Sequence, residues 1–310
     1  MTDTVDVAII GGSFAGLTAA LQLGRASRRV AVFDTGRPRN AASAAAHGVP
    51  GWDGRAPGEI LAAIRRDLAA YPTVSVHEGA VTGLDGKIDA FALTTATGAI
   101  IARRVIIACG MTDTLPAITG LAEGWGKWAL HCPYCHGYEV KGRPLSILGR
   151  GQMALMMARM LRTDWSADVT VIAHDGDWAP NTEADAAAFG VTLRWSPLVH
   201  AAPEGDGARL TLADGSDLFT AGLFLHGETR FAAPFVAGLG LATLQGPTGP
   251  YLVTSDFKVT SRAGIFAAGD ITRPAGVVTP ALADGVIAGT AAHQSLLWPE
   301  RFPPITESRP

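Results

Sequence analysis

The sequence predicts an α/β protein built from two Rossmann-like dinucleotide-binding domains. Two glycine-rich turns, at residues 11–16 and 149–154, carry that prediction. Each follows an apolar strand and opens a helix that leads to a second strand. A third observation, Cys132-Pro133-Tyr134-Cys135-His136 between the two turns, adds thiol–disulfide chemistry.

Val5 to Ile10 is a continuous apolar run, as expected of a strand buried on both faces. Gly11-Gly12-Ser13-Phe14-Ala15-Gly16 follows, then an amphipathic helix through Leu17, Leu21 and Leu23. A second strand, Val30 to Phe33, ends at Asp34. Gly11 makes the tight turn. The small positions after it let the backbone approach a pyrophosphate at the helix N-terminus, and Gly16 permits close helix–strand packing. Asp34 stands where a carboxylate accepts hydrogen bonds from an adenosine ribose.

The second unit starts at Leu145-Ser146-Ile147-Leu148 and turns at Gly149-Arg150-Gly151-Gln152-Met153-Ala154. A helix through Met156, Met157 and Leu161 leads to a strand at Val169 to Ile172. The end of this strand differs from the first unit. Ala173-His174-Asp175-Gly176-Asp177 contains no arginine, and the next one is Arg194. A 2′-phosphate needs a cationic partner near that strand end, so NADPH is disfavoured. NADH held through Asp175 stays open, as does a vestigial site. Met153, Met156, Met157 and Met160 are expected in the core or at a dimer contact.

Two residues separate Cys132 from Cys135, so both sulfurs can close one small loop and cycle between dithiol and disulfide without moving the fold. Zinc on His131, Cys132, Cys135 and His136 is disfavoured, because four ligands within six residues do not surround a tetrahedral ion, and no metal is expected. Cys109 follows the apolar strand Val105-Ile106-Ile107-Ala108 and reads as a small buried hydrophobe. With only 3 cysteines in 310 residues, the chain is no disulfide scaffold.

Composition excludes other classes. A chain 48% hydrophobic and 17% charged suits a packed enzyme rather than a disordered module. A net charge of -3 gives no attraction to nucleic acid or an anionic membrane. No apolar run approaches the ~20 residues of a membrane span. The strand at Val5 has no basic segment or cleavage site before it. A secretory signal is therefore not expected, and a cytoplasmic location is.

Near the C-terminus, Gly264-Ile265-Phe266-Ala267-Ala268 is a strand ending on Gly269-Asp270. Thr279-Pro280-Ala281-Leu282 opens an alanine-rich helix with Pro280 in its first turn. A helix start offers N–H groups and partial positive charge, which suits an anionic reduced flavin. Taken in order, GGSFAG (11–16), ACG (108–110), CPYC (132–135), GRGQMA (149–154) and FAAGD (266–270) make the chain resemble low-molecular-weight thioredoxin reductases over nearly its whole length.

That resemblance implies a discontinuous FAD-binding domain at residues 1–115 and 246–310. A pyridine-nucleotide-type domain at 116–245, carrying the CxxC, is inserted into it. It implies FAD contacts from Gly11, Gly12, Ser13, Phe14, Ala15, Gly16, Asp34, Arg39, Asn40, His47, Val81, Gly110, Gly269, Asp270, Ala281 and Leu282, with Asp270 on the ribityl chain. Cys109 replaces the threonine of the family's Ala-Thr-Gly turn. A homodimer is also implied.

Two positions depart from the family. Its His-Arg-Arg cluster for the NADPH phosphate is replaced by Ala173-His174-Asp175, and the aspartate after the second cysteine by His136. These departures occur with the string CPYCHGYE (132–139) and with Gly36-Arg37-Pro38-Arg39-Asn40 followed by His47-Gly48. Together they resemble the branch of dithiol oxidases that close disulfides in small natural products such as gliotoxin and holomycin. That resemblance implies a small-molecule dithiol substrate and O2 as electron acceptor. A substrate thiolate would attack the disulfide at Cys132, Cys135 would pass electrons to the flavin, and His136, with an ordinary pKa of ~6.5, would carry the proton. The alternative is a thioredoxin-reductase-like disulfide reductase using NADH, ferredoxin or another non-NADPH donor. A third reading is a non-catalytic flavin redox sensor. Trp52, Trp125 and Trp128 are expected in packing rather than in a cleft.

Overall fold

The computed structural model describes residues 4–306. The chain divides into two compact units. Met1–Ala41, Pro57–Asp113 and Glu228–Pro310 form the first, and Ala42–Ala56 with Thr114–Gly227 form the second. The sequence reading set the domain limits at 115/116 and 245/246. Here the chain crosses at 113/114 and 227/228, and residues 42–56 join the second unit from a distance in sequence.

In chain order the first unit opens with β1 (Thr4–Ile10), α1 (Phe14–Arg25) and β2 (Val30–Asp34). After α2 (Pro57–Leu68) come β3 (Val74–Glu78), β4 (Val81–Lys87), β5 (Ala90–Thr95), β6 (Gly98–Ile107) and β7 (Met111–Thr114). The second unit contains α3 (Leu121–Gly124), β8 (Ala129–Leu130), α4 (Pro133–His136), β9 (Leu145–Gly149), α5 (Gly151–Asp164) and β10 (Val169–Ala173). It continues through α6 (Thr182–Ala188), β11 (Thr192–Arg194), β12 (Leu198–Glu204), β13 (Gly207–Leu212), β14 (Asp217–Thr220) and β15 (Gly222–Leu225). The first unit resumes with β16 (Glu228–Phe231), β17 (Thr243–Gln245), β18 (Pro250–Leu252), β19 (Ile265–Ala267) and α7 (Val278–Ser295).

The main sheet of the first unit runs β3-β2-β1-β6-β5-β4, with β19 also on β6. Its parallel centre aligns Ile9 with Val32 on one side and with Ile106 on the other. Val7, Ala8 and Ile9 are wholly buried, so the apolar run of β1 is the sheet's middle. α7 lies against α1 through glycines: a Cβ on Gly285 would fall 2.3 Å from Ala15 O, and one on Gly289 would fall 2.7 Å from Ala19 O. Arg104, 1% exposed, ties β6 to the end of α7 by donating to Ser295 Oγ and Ser295 O, and it pairs with Asp89.

The second unit stacks a parallel sheet, β11-β10-β9-β15-β8, beside the antiparallel β12-β13-β14. On α5, Ala154, Leu155, Ala158 and Leu161 form the buried stripe, and Met157 packs partly against it. These small and branched residues already fill the inward face at 3.6-residue spacing, which turns Met153 and Met156 outward. Core packing therefore describes Met157 but not Met153 or Met156. Trp128 is buried in the second unit's core as expected, and Trp125 packs partly against it.

Candidate functional site

In the first unit the glycines are where the backbone leaves no room for a side chain. A Cβ on Gly11, whose φ is +108°, would sit 2.3 Å from Ala108 O, and one on Gly16 would sit 1.8 Å from Gly11 O. Ser13 is the extended residue before α1. No side chain among the described residues caps that helix, and its first turn holds no acidic residue. Phe14, Ala15 and Gly16 make up this buried first turn. Gly12 faces the end of β2 directly, because a Cβ there would lie 2.7 Å from the Asp34 Cβ. The Asp34 carboxylate accepts from the Gly36 N–H at 3.2 Å and from Arg65 at 2.8 Å, and Arg65 also donates to Gly12 O.

A second group of polar residues surrounds Asp270. Arg39 makes two hydrogen bonds to Asp113, at 2.7 and 2.6 Å, and a third to Asp270 at 3.0 Å. Gly269, at φ +84°, donates its N–H to Asp284 Oδ2. Asp284 is 3% exposed and also pairs with Lys258 and Arg273. Burial pushes its carboxyl up, but Lys258 and Arg273 outweigh that and hold it below the usual range. Ala281 is buried in the first turn of α7, which no side chain among the described residues caps, and Leu282 is partly buried.

The remaining predicted residues differ in what they expose. Gly110 has φ +70° and open space on its Cβ side. Asn40 is partly buried. Val81 is 5% exposed within the core, so its backbone rather than its side chain is what a cofactor could touch. Cys109 packs against the same core, and burial pushes its thiol up to about 11, which keeps it protonated. An open helix N-terminus, a glycine turn without side chains, and carboxylates at Asp34 and Asp270 fit the diphosphate and the two polyol segments of FAD.

In the second unit Cys132 is the extended residue that starts α4, with Pro133 at the first helical position. The two Sγ atoms are 2.7 Å apart, so a small movement closes the ~2.05 Å disulfide bond. The hydrogen bond from Cys135 is the main influence on Cys132. Together with the N–H groups of Cys135 and Tyr134 it overcomes burial and brings the Cys132 thiol down to about 7. Cys135 moves the other way, well above the ordinary thiol range. Its bond to Cys132 does most of this, followed by burial and the charges of Cys132 and Glu139. Cys132 is thus the thiol that ionises first, and Cys135 the one that keeps its proton. Burial holds His136 below the usual imidazole value, opposed by Glu139 and aided by His47.

His47, predicted to contact the flavin, lies in the second unit. Its Nε2 is 3.4 Å from Glu139 Oε1 and its Nδ1 is 3.6 Å from Asp53 Oδ1. Sequence reasoning singled out neither Glu139 nor Asp53, nor Arg65 and Asp113 in the first unit. The only available signal was the string CPYCHGYE, which contains Glu139. No group of three or more His, Cys, Asp or Glu residues able to hold a metal occurs among the described residues.

The second glycine turn meets the loop after β10. A Cβ on Gly151 would lie 2.6 Å from Asp177 O, and one on Gly176 would lie 3.1 Å from the Arg150 Cβ. An arginine therefore does reach this loop. It arrives from the turn after β9, outside residues 173–177 on which the expectation against NADPH rests. Asp175 and His174 approach at 3.7 Å in the same loop. No helix among the described residues is long and apolar enough to cross a membrane.

The pyridine nucleotide-disulphide oxidoreductase family matches residues 5–288. Thioredoxin reductase tcpT of Claviceps purpurea (strain 20.1) is 34% identical over 313 residues, covering 96% of this chain and 95% of the relative. Thioredoxin reductase sirT of Leptosphaeria maculans is 31% identical over 311 residues, covering 93% of each. A solved oxidoreductase from Agrobacterium tumefaciens shares 42% identity with a TM-score of 0.90, covering 96% of this chain and 100% of that one.

These relatives overturn two expectations, the dithiol oxidase that uses O2 and its small-molecule dithiol partner. Relatives matching the whole length are named thioredoxin reductases, and the disulfide-reductase alternative accords with them. The physical reason is that a CxxC pair followed by histidine specifies a two-electron thiol couple without specifying its direction. Fold and family support FAD as the cofactor. With its two Rossmann-type units and its thiol pair, the chain belongs to the pyridine nucleotide-disulphide oxidoreductase family and is a flavin-dependent thiol–disulfide oxidoreductase of the low-molecular-weight thioredoxin reductase fold.

Proposed function

We propose that this protein is a thioredoxin-reductase-type disulfide reductase. It moves electrons from a reduced pyridine nucleotide to the disulfide of a thioredoxin-like protein. The observation that carries this reading is similarity over nearly the whole chain to proteins named thioredoxin reductases, and the Cys132–Cys135 pair, in which Cys132 ionises more readily than Cys135, supplies the thiol chemistry. The first unit, through Gly11–Gly16, Asp34 and Asp270, holds FAD. The second offers Gly149–Ala154 to the nucleotide. When bound, FAD supplies two-electron transfer between the nucleotide and the enzyme disulfide.

In the thiol half of the reaction, the Cys132 thiolate attacks one sulfur of the partner disulfide, and the other partner sulfur leaves as a thiolate. Cys135 then gives its proton to His136 and attacks Cys132 Sγ, releasing the second partner thiolate. The two leaving thiolates end as thiols, one protonated through His136 and one by water. The enzyme thiolate–thiol pair loses two electrons and one proton, and the partner gains two electrons and two protons, the second proton coming from water. Asp175, not a cationic cluster, follows β10, which favours NADH and its free ribose hydroxyls over NADPH.

His136 and the missing His-Arg-Arg cluster are sequence features in which the chain resembles the gliotoxin and holomycin branch. A dithiol regenerated by a pyridine nucleotide suits the cytoplasm. Exposed Val286, Ile287, Leu297 and Trp298 support a homodimer through the first unit. The test is NADH oxidation by the FAD-loaded protein in the presence of thioredoxin and insulin. Thioredoxin-dependent turnover is expected. No NAD(P)H oxidation with any thioredoxin disulfide would overturn the reading.

A further inference from the structure

We propose that His47, Glu139 and Asp53 form a charge-setting group for the Cys132–Cys135 pair, in which one carboxylate, Glu139, serves two imidazoles. The purpose of the group rests on the disulfide-reductase reading. Its geometry lies wholly within the second unit. His47 reaches it from the 42–56 segment, which is closed by hydrogen bonds from the Ala46 N–H to Arg55 O and from the Gly54 N–H to Ala46 O. Asp53 is held by the Gly48 N–H at 2.7 Å and stands 3.6 Å from His47 Nδ1. On the opposite side of the ring, His47 Nε2 is 3.4 Å from Glu139 Oε1. The imidazole is thus bracketed by two carboxylates.

Glu139 lies three residues beyond His136, and its charge acts on both reacting neighbours. It opposes a thiolate at Cys135 and favours a proton on His136, whereas His47 opposes that proton. The titratable groups facing one another here are Cys132, Cys135, His136, Glu139, His47 and Asp53. A proton that leaves Cys135 for His136 creates an imidazolium beside Glu139, which stabilises it. In the resolving step the Cys135 sulfur bonds to Cys132 Sγ as the bond from Cys132 to the partner sulfur breaks. The electron pair leaves on the partner thiolate, which takes the proton back from His136. Glu139 and His47 are positioning residues in this scheme, and His136 is the group that carries the proton.

The test uses the full FAD-loaded protein, reduced with a phosphine and labelled with 13C at histidine Cε1. The His136 signal is assigned by its loss in His136→Gln and followed with pH. Glu139→Gln lowers the His136 midpoint and His47→Gln raises it, each by about half a unit or more for a charge several ångströms away in a half-exposed site. A merely structural role would not produce opposite signs. Shifts of the same sign, or none, overturn the proposal. A second measurement guards against a poorly folded variant. In a Cys132→Ser background, Glu139→Gln speeds iodoacetamide labelling of Cys135 at pH 8 by ~2-fold, the half-unit gain in thiolate less its lower nucleophilicity, and Glu139→Asp restores the slower rate. An unchanged rate overturns the proposal. Both readouts follow ionisation without turnover, so they stand or fall separately from thioredoxin reduction.

Discussion

Removing the Cys135 thiol should return Cys132 toward ordinary thiol behaviour. The Cys132 thiol comes down from 9.0 to about 7 chiefly through the hydrogen bond from Cys135 Sγ, 2.7 Å away, with two backbone N–H groups assisting. At pH 7 about half of Cys132 is then thiolate, against about 1% for an unperturbed thiol, a ~50-fold gain. Nucleophilicity falls with pKa at a slope of ~0.4–0.5, so a two-unit shift returns ~8-fold of that gain. The net advantage at pH 7 is about 6-fold. Cys135→Ala removes the largest cause and leaves the N–H groups. The midpoint for Cys132 alkylation should climb by ~1 unit or more, and the rate at pH 7 should fall by ~3-fold. The assay is iodoacetamide labelling of the phosphine-reduced protein from pH 5 to 10, read by mass on the Cys132 peptide. A midpoint that stays at about 7 in Cys135→Ala would show that the backbone N–H groups alone hold the thiolate.

His136→Ala should keep FAD but slow thioredoxin reduction by ~10²-fold, the usual scale of one acid–base group, with partial recovery at high pH where Cys135 ionises unaided. The Cys132 thiolate is lost as pH falls through about 7, and burial places loss of the His136 base form below the ordinary imidazole value, so wild-type activity should fall in two steps on the acid side; an acid limb unchanged in His136→Ala would count against the role. Asp284→Asn leaves Lys258 and Arg273 without their carboxylate and should cost about 3–5 kcal/mol, seen as a lower Tm and loss of FAD on gel filtration. Because the Asp284 carboxyl is lowered by folding, its contribution is fully present above the ordinary carboxylate value and disappears as pH falls through the folded one; the Tm gap between wild type and variant should close below pH ~4. NADH should bleach the flavin at least ~10-fold faster than NADPH in stopped flow, and equal rates would mean that Arg150, beside Gly176, receives the 2′-phosphate.

Both βαβ units were legible because buried parallel strands read as apolar runs and because contacts force their glycines. Gly11 and Gly16 lie where a Cβ would meet backbone oxygen at 2.3 and 1.8 Å. Of the β4–β6 meander only the buried end of β6, Val105–Ile107, was legible. β4 and β5 are part exposed, and β4 ends on exposed Asp85, Gly86 and Lys87, which locally look like a loop. The site divides in the same way. Cys132, Cys135 and His136 form one helical turn, so spacing alone reveals them. Arg65, Asp113 and Glu139 take their roles from Asp34, Arg39 and His47, which the fold brings from far along the chain. The expectation against NADPH draws on residues 173–177, and the fold brings Arg150 from another turn to lie beside Gly176 in that loop.

Direction of electron flow was the least legible property, and the geometry explains why. A more stable thiolate stabilises the reduced pair and makes the couple more oxidising. At pH 7 a Cys132 thiol at about 7 gains only about RT ln 2, or ~0.4 kcal/mol, over one at 9.0. For a two-electron couple that is ~9 mV. The raised Cys135 thiol adds almost nothing at this pH, because it is protonated with or without the shift. His136 is equally neutral on the point, since a base for one direction is the acid for the reverse. An ionisation effect of ~9 mV is small beside the tens of millivolts that separate thiol couples from one another. The CxxC and its neighbours therefore set how fast electrons pass. The couples on either side, the nucleotide and the partner disulfide, set which way they go. This is why the reductase reading rests on similarity to proteins named thioredoxin reductases rather than on Cys132, Cys135 and His136.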